Sequence, residues 1–147
     1  MPEAWLKGQA LPTVRRGPIT RLDLVRYAGA SGDFNPIHTI EEFAQGAGLG
    51  GVIAHGMLSM AYLGTMLTEF AGAMADLSEF GVRFRAMVRP GDVIECQGTI
   101  TELVEEGDRL VAKVQFTAKT DKGDTVIKGQ AVLSRLRIQL PPEEVER

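Results

Sequence analysis

Residues 31–38 read SGDFNPIH, which places a carboxylate (Asp33), an amide (Asn35), a proline (Pro36) and an imidazole (His38) within six positions. A carboxylate and an imidazole held a few ångströms apart are what proton transfer to and from a water or a carbon acid requires. Histidine titrates near neutrality, and desolvation can tune a partly buried aspartate upward. Asp33 and His38 are five positions apart, and Pro36 pushes Asn35 towards an extended conformation. No regular helix face therefore presents them together, and a tight turn must aim both into one space. The same residues also suit a turn without chemistry, in which Asp33 and Asn35 satisfy backbone amides and His38 caps a helix. Both readings stand at this point.

The chain has one other histidine, His55, in IAHGMLSM. The apolar run that begins at Met57 reads as a helix, so the Gly56 N–H lies at its unpaired, partially positive N-terminus. Such an end can receive an anion or a polarised carbonyl oxygen, and a residue without a side chain lets a ligand approach the backbone. Gly56 also suits a glycine needed only for the turn. His55 reads as a structural residue that bonds a neighbouring loop more than as a catalytic one. GAGLGG (46–51) lacks the Lys-Ser/Thr of a phosphate loop, and Ser59 lacks a G-x-S-x-G setting. Two histidines and one cysteine, widely spaced, make a poor zinc set, so no metal is expected. Met57, Met60, Met66 and Met74 read as core or pocket lining.

The elements that must position these residues follow from period and punctuation. ITRLDLVRYAGASGD reads as a helix with Thr20 and Asp23 in a capping arrangement and an end at Gly29 or Gly32. HTIEEFAQG predicts a two-turn helix with a Thr39–Glu42 capping box and a stop at Gly46. A glycine-rich connection with a short apolar strand at 52–54 comes next. MLSMAYLGTMLTEFAGAMAD is apolar nearly all round, which predicts a buried helix of roughly 20 residues, ~30 Å long. Gly64 and Gly72 inside it would serve close approach to a backbone or ligand. After residue 80 the period changes to two. Runs beginning at Glu79, Val93, Arg109 and Thr125, joined by RPGD, EEGD and DKGD, predict a four-strand antiparallel meander. The fold class is α+β, with the long helix wrapped by the sheet and sheet edges left for a partner subunit.

At 147 residues and 44% apolar composition the chain is one domain's worth, expected to span 1–147 with a polar tail from about residue 140. Sixteen basic against 19 acidic residues give a mixed net charge of -3, which argues against a nucleic-acid partner. The single cysteine, Cys96, allows no disulfide within the chain. No leader pattern opens the sequence, and no run approaches ~18 apolar residues. A cytoplasmic protein with no membrane association is the expectation.

SGDFNPIH, HGMLSMAYLG and FRAMVRPGD, in this order, resemble the MaoC-like hydratase/dehydratase family, which includes (R)-specific enoyl-CoA hydratases and single-domain 3-hydroxyacyl-thioester dehydratases. The match runs from about Thr20 to Leu136. The resemblance implies a single hotdog domain and a homodimer or a heterodimer with a related subunit. It further implies a hydro-lyase acting on acyl thioesters, with Asp33 and His38 as catalytic pair, the Gly56 N–H polarising the thioester carbonyl, and Asn35 ordering the turn. The pair would activate one water for addition across a trans-2-enoyl thioester, or run the dehydration, with Asp33 favoured as base. No cofactor is implied beyond the CoA or acyl-carrier pantetheine of the substrate. Met57, Met60 and Gly64 would line the acyl tunnel. Some members carry a serine where this chain has Gly64, and its absence implies a wider tunnel. Arg83, Arg85 and Arg89 lie near the stretch that could meet substrate phosphates. Two other functions stay open: a hotdog thioesterase, and a non-catalytic acyl-thioester-binding subunit.

Overall fold

The computed structural model describes residues 4–137, so the polar tail lies outside the described residues. The order is β1 (Val14–Arg16), α1 (Arg21–Ser31), a 3-10 turn (Pro36–His38), α2 (Glu41–Gly46), α3 (Gly56–Ala71), β2 (Ala75–Phe84), β3 (Ile94–Glu106), β4 (Arg109–Thr120) and β5 (Thr125–Leu136). The strands form one antiparallel sheet in the order β1-β3-β4-β5-β2. The meander expectation holds for β3, β4 and β5. β2 instead crosses to the far edge and pairs with β5 from Ala75↔Arg135 to Phe84↔Ile127. RPGD therefore closes no hairpin.

Alternation builds the core. Ile94, Cys96 and Ile100 of β3, Ala112, Val114, Phe116 and Ala118 of β4, and Ala131 and Leu133 of β5 are buried against Leu63, Met66 and Leu67 of α3. Gly98, Phe116 and Gly129 stand in one cross-strand row. A Cβ at Gly129 would lie 2.8 Å from the Phe116 ring, so the missing side chain is what lets that ring lie across the sheet. Register shifts between Leu77 and Glu79, Ile100 and Glu102, and Ala118 and Lys119 add local bends. The result is a helix held in a curled antiparallel sheet, the hotdog arrangement. Trp5 stacks on Phe70 near the end of α3, with ring centroids 5.9 Å apart.

Four local expectations change. α3 has 16 residues rather than roughly 20: Gly72, at φ 78°, ends it, and residues 75 and 76 already belong to β2. It is not buried all round, since Met57, Ala61 and Thr68 are exposed. α2 starts from Ile40 with no side-chain cap, because Thr39 instead closes the 3-10 turn through its N–H to the Pro36 carbonyl (3.2 Å). Residues 52–54 form no strand, although Ala54 N–H bonds the Val88 carbonyl at 2.7 Å. The Thr20–Asp23 box is present, with Asp23 N–H to Thr20 Oγ1 at 3.1 Å and Thr20 N–H to Asp23 Oδ2 at 2.8 Å. Gly32 ends α1. No helix among the described residues is long and apolar enough to cross a membrane.

Candidate active site

The turn after α1 satisfies its own amides and still leaves a carboxylate oxygen over. Asp33 N–H bonds Ser31 Oγ (3.2 Å), Asn35 N–H bonds Asp33 Oδ1 (3.1 Å), and Ile37 N–H bonds Asn35 Oδ1 (3.2 Å). Asn35 thereby caps the single 3-10 turn that carries His38. Asp33 Oδ2 faces His38 Nε2 at 3.8 Å. That separation is too long for a direct hydrogen bond, and short enough for one water oxygen to reach both atoms at ordinary length. The two readings of the turn are thus compatible for Asp33, one for each oxygen. His38 caps no helix: its Nδ1 lies 2.7 Å from the Ile53 carbonyl. A carbonyl only accepts, so this contact puts the proton on Nδ1 and leaves the Nε2 lone pair of the neutral ring facing Asp33.

The loop between α2 and α3 brings the second half of the site. It has little regular structure and is tied down from three sides. Ile53 N–H bonds the Ile37 carbonyl, Ala54 reaches Val88, and the Arg89 guanidinium donates to the carbonyls of Leu49 and Gly51. Glu41 accepts from Arg21 and from Val52 N–H. Arg89 is therefore committed to holding this loop, while Arg83 and Arg85 are exposed.

These ties bring together two histidines that are 17 positions apart in the sequence, and His55 bonds a neighbouring loop as expected. The His38 and His55 rings stack with centroids 3.8 Å apart and 24° between planes. His55 is 2% exposed, and its Nε2 lies 3.2 Å from the Asp33 carbonyl. Burial pushes its imidazole below the ordinary value, against the opposing hydrogen bond to Asp33. Asp33, His38 and His55 offer donor atoms within 4.8 Å of one another. Ring lone pairs lie in the ring planes, so two nearly parallel stacked imidazoles cannot both aim at one ion. The arrangement fits proton transfer and not a three-ligand metal site.

Gly56 is the first residue of α3, directly after His55, and no side chain caps this helix. Its open side is taken by protein: a Cβ there would lie 3.0 Å from the Phe84 ring. Gly64 behaves alike, with Phe80 at 3.4 Å. Phe80 thus bounds the room expected beside Gly64, at ordinary contact distance from where a Cβ would stand. Met57 is exposed and Met60 half-buried against the core. The two phenylalanines escaped the sequence reading, although a signal for them exists. Gly56 and Gly64 lie eight residues apart on a helix, ~12 Å, while Phe80 and Phe84 lie four apart on a strand, ~13 Å. The matched spacings pair each ring with one glycine as β2 runs back along α3.

The chain is similar to known proteins over most of its length. Residues 5–135 match the family model described as MaoC like domain. The (R)-specific enoyl-CoA hydratase of Rhodospirillum rubrum is 35% identical over 116 residues, 78% of this chain and 78% of that protein. The 3-hydroxybutyryl-CoA dehydratase of Methylorubrum extorquens is 32% identical over 84% of this chain and 77% of its own length. Among solved structures, the (R)-hydratase from A. caviae involved in PHA biosynthesis superimposes with a TM-score of 0.80 at 23% identity, covering 92% of this chain and 99% of that one. The chain belongs to the MaoC-like family of hydratases and dehydratases, which are hydro-lyases.

Proposed function

We propose that the chain interconverts trans-2-enoyl thioesters and (R)-3-hydroxyacyl thioesters. The observation that carries this reading is the 3.8 Å gap between Asp33 Oδ2 and His38 Nε2, beside the uncapped start of α3. A water in that gap donates to both atoms and turns a lone pair outward. The thioester carbonyl docks against the Gly56 N–H, where the helix end stabilises the enolate oxygen as charge develops. The water oxygen bonds to C3, the pair takes up its proton, and a proton returns to C2 from the same face. Asp33 and His38 act as one unit in moving this proton. Dehydration is the same path reversed. The CoA or acyl-carrier pantetheine is part of the substrate, and every proton transfer is assigned to this chain's own side chains.

The surroundings favour a second subunit over the site. β2 is one edge of the sheet, opposite β1. Phe34 beside Asp33, Met57 beside Gly56, and Phe84 against Gly56 are 70%, 55% and 52% exposed. A second copy of the chain, or a related subunit, would cover this apolar rim and exclude water from the enolate.

The test mixes the purified protein with crotonyl-CoA and follows the conjugated enoyl absorbance together with free thiol. Loss of absorbance without thiol release, giving the (R)-alcohol, is expected. Thiol release would instead identify a thioesterase. Failure with crotonyl-, octenoyl- and carrier-protein-linked substrates alike would overturn the reading.

A further inference from the structure

We propose that His55 is a positioning residue: as a neutral imidazole protonated on Nε2 it holds the Asp33 backbone by a hydrogen bond and the His38 ring by stacking, and so sets the separation of the acid–base pair. The inference rests on the reading of Asp33 and His38 given above. Three contacts meet at this one side chain. Nε2 reaches the Asp33 carbonyl at 3.2 Å, one ring face lies 3.8 Å from the His38 centroid, and Tyr27 of α1 packs edge-on at 4.8 Å and 63°. The ring is thus fixed in rotation and in tilt, and both members of the pair are referenced to it. Because the next residue is Gly56, the same ring also ties the pair to the start of α3.

The tautomer follows from the partners. The Asp33 carbonyl accepts and never donates, so the Nε2 atom carries the hydrogen. Nδ1 is buried and has no hydrogen-bond partner among the described residues. In the neutral ring that atom is a lone pair. A second proton there would be a charged donor with nothing to receive it, which burial disfavours. The titratable groups that face His55 are Asp33, His38 and Tyr27. A neutral His55 also matters for turnover. His38 must be free to take up positive charge while the water proton is in transit, and a stacked second cation would oppose it.

Because the chain holds only two histidines, nitrogen-detected NMR of ring-labelled protein tests this without any assay of activity. One ring should be the Nδ1–H tautomer, assigned to His38, and the other the Nε2–H tautomer, which stays neutral to lower pH than an ordinary imidazole. Assignment uses His55→Phe, which keeps an aromatic face and loses the donor, and His55→Gln, which keeps a donor and loses the face. In both variants the His38 ring signals should broaden or lose their single tautomer. The kcat per folded protein should fall by about 10- to 100-fold, with KM changed by less than about threefold, as expected when reacting groups are misplaced rather than removed. An Nδ1–H or cationic His55, or variants that unfold more readily yet keep kcat and the His38 signals, would overturn the proposal. Absence of hydration by the wild-type protein would overturn the function instead, and the ring tautomers would still decide the role of His55.

Discussion

Four aspartates of this chain follow a glycine in a turn, and two of them, Asp33 and Asp92, show how far the partners decide what such a carboxylate does. Asp92, in RPGD, is 4% exposed and has both oxygens occupied: Oδ2 accepts from Arg89 N–H at 2.9 Å and Oδ1 from Lys122 Nζ at 2.7 Å. Asp33, in SGDF, has a half-exposed side chain, spends Oδ1 on the Asn35 amide and points Oδ2 at an imidazole 3.8 Å away. Motif and turn residue are alike, so the difference lies in the partners that the fold delivers. A carboxylate saturated by an ammonium and an amide is a fastener, whereas one with an oxygen left over beside an imidazole can accept and return a proton.

The largest expected effect breaks the comparison from the Asp33 side. Asn at 33 keeps an oxygen for the Asn35 amide and loses the carboxylate to which the proposed mechanism gives the proton. Asp33→Asn should lower the hydration rate by about 10²- to 10⁴-fold, the usual scale for a positioned acid–base group. Its unfolding free energy in urea should change by less than about 0.5 kcal/mol, as for a surface change. A stability loss that accounts for the lost rate would make Asp33 another fastener.

Asp92→Asn should give the opposite pattern. It removes a buried charged acceptor, and about 1–3 kcal/mol of stability should go with it, while turnover per folded molecule is kept. Acid sharpens the point. Burial alone would raise the Asp92 carboxyl, but the Lys122 ammonium and the Arg89 amide outweigh it and hold it below the ordinary carboxylate range. A group whose pKa is lowered in the folded state contributes stability above its unfolded pKa, about 4, and that contribution is lost as pH falls through the folded value. Wild-type protein should therefore lose stability below pH about 4 more steeply than Asp92→Asn. Equal slopes in acid urea titrations would mean that Lys122 contributes nothing.

The same contrast shows what could be read before the structure. Asp33, Asn35, Pro36 and His38 are local, and their types and spacing require a turn, while the oxygen that Asp33 has left over is seen only in the structure. The capping box at Thr20 is equally local. The contact between His38 and His55 is not: 16 residues, a glycine-rich loop among them, intervene, and Arg89, Ile37 and Val88 pin that loop from elsewhere. Thr39 failed as a cap because Pro36 had already started a 3-10 turn that claimed its N–H. Residues 73–76 look helical by composition, and Gly72 in the left-handed region stops them. Pairing of β2 with β5 rather than β3 is a long-range choice that no window of the sequence contains.

Gly56→Ala tests whether the helix end depends on what stands opposite it. The new Cβ would lie 3.0 Å from the Phe84 ring, so the ring or the helix start must move by a few tenths of an ångström. If the Gly56 N–H receives the thioester carbonyl as proposed, such a shift should lower kcat by about 10-fold. Adding Phe84→Ala should restore most of that loss, because the clash and not the methyl group is responsible. Unchanged turnover in the single variant would place the thioester carbonyl away from Gly56.

The smallest expected effect concerns the acyl chain. Phe80 bounds the side of α3 that Gly64 leaves open, with its ring also edge-on to Phe116 at 5.6 Å. Phe80→Ala empties that space and should cost about 1–3 kcal/mol of stability, less than for a fully buried ring. If the acyl chain runs between α3 and β2, the vacated volume accepts further methylenes at about 0.8 kcal/mol each. The ratio of kcat/KM for eight-carbon over four-carbon enoyl-CoA should then rise by roughly 3- to 10-fold, since only part of the added chain reaches the new space. Gly64→Ser, which pushes on the same ring, should move the ratio the other way. A ratio that ignores both substitutions would put the acyl chain elsewhere, and Phe80 would be core alone.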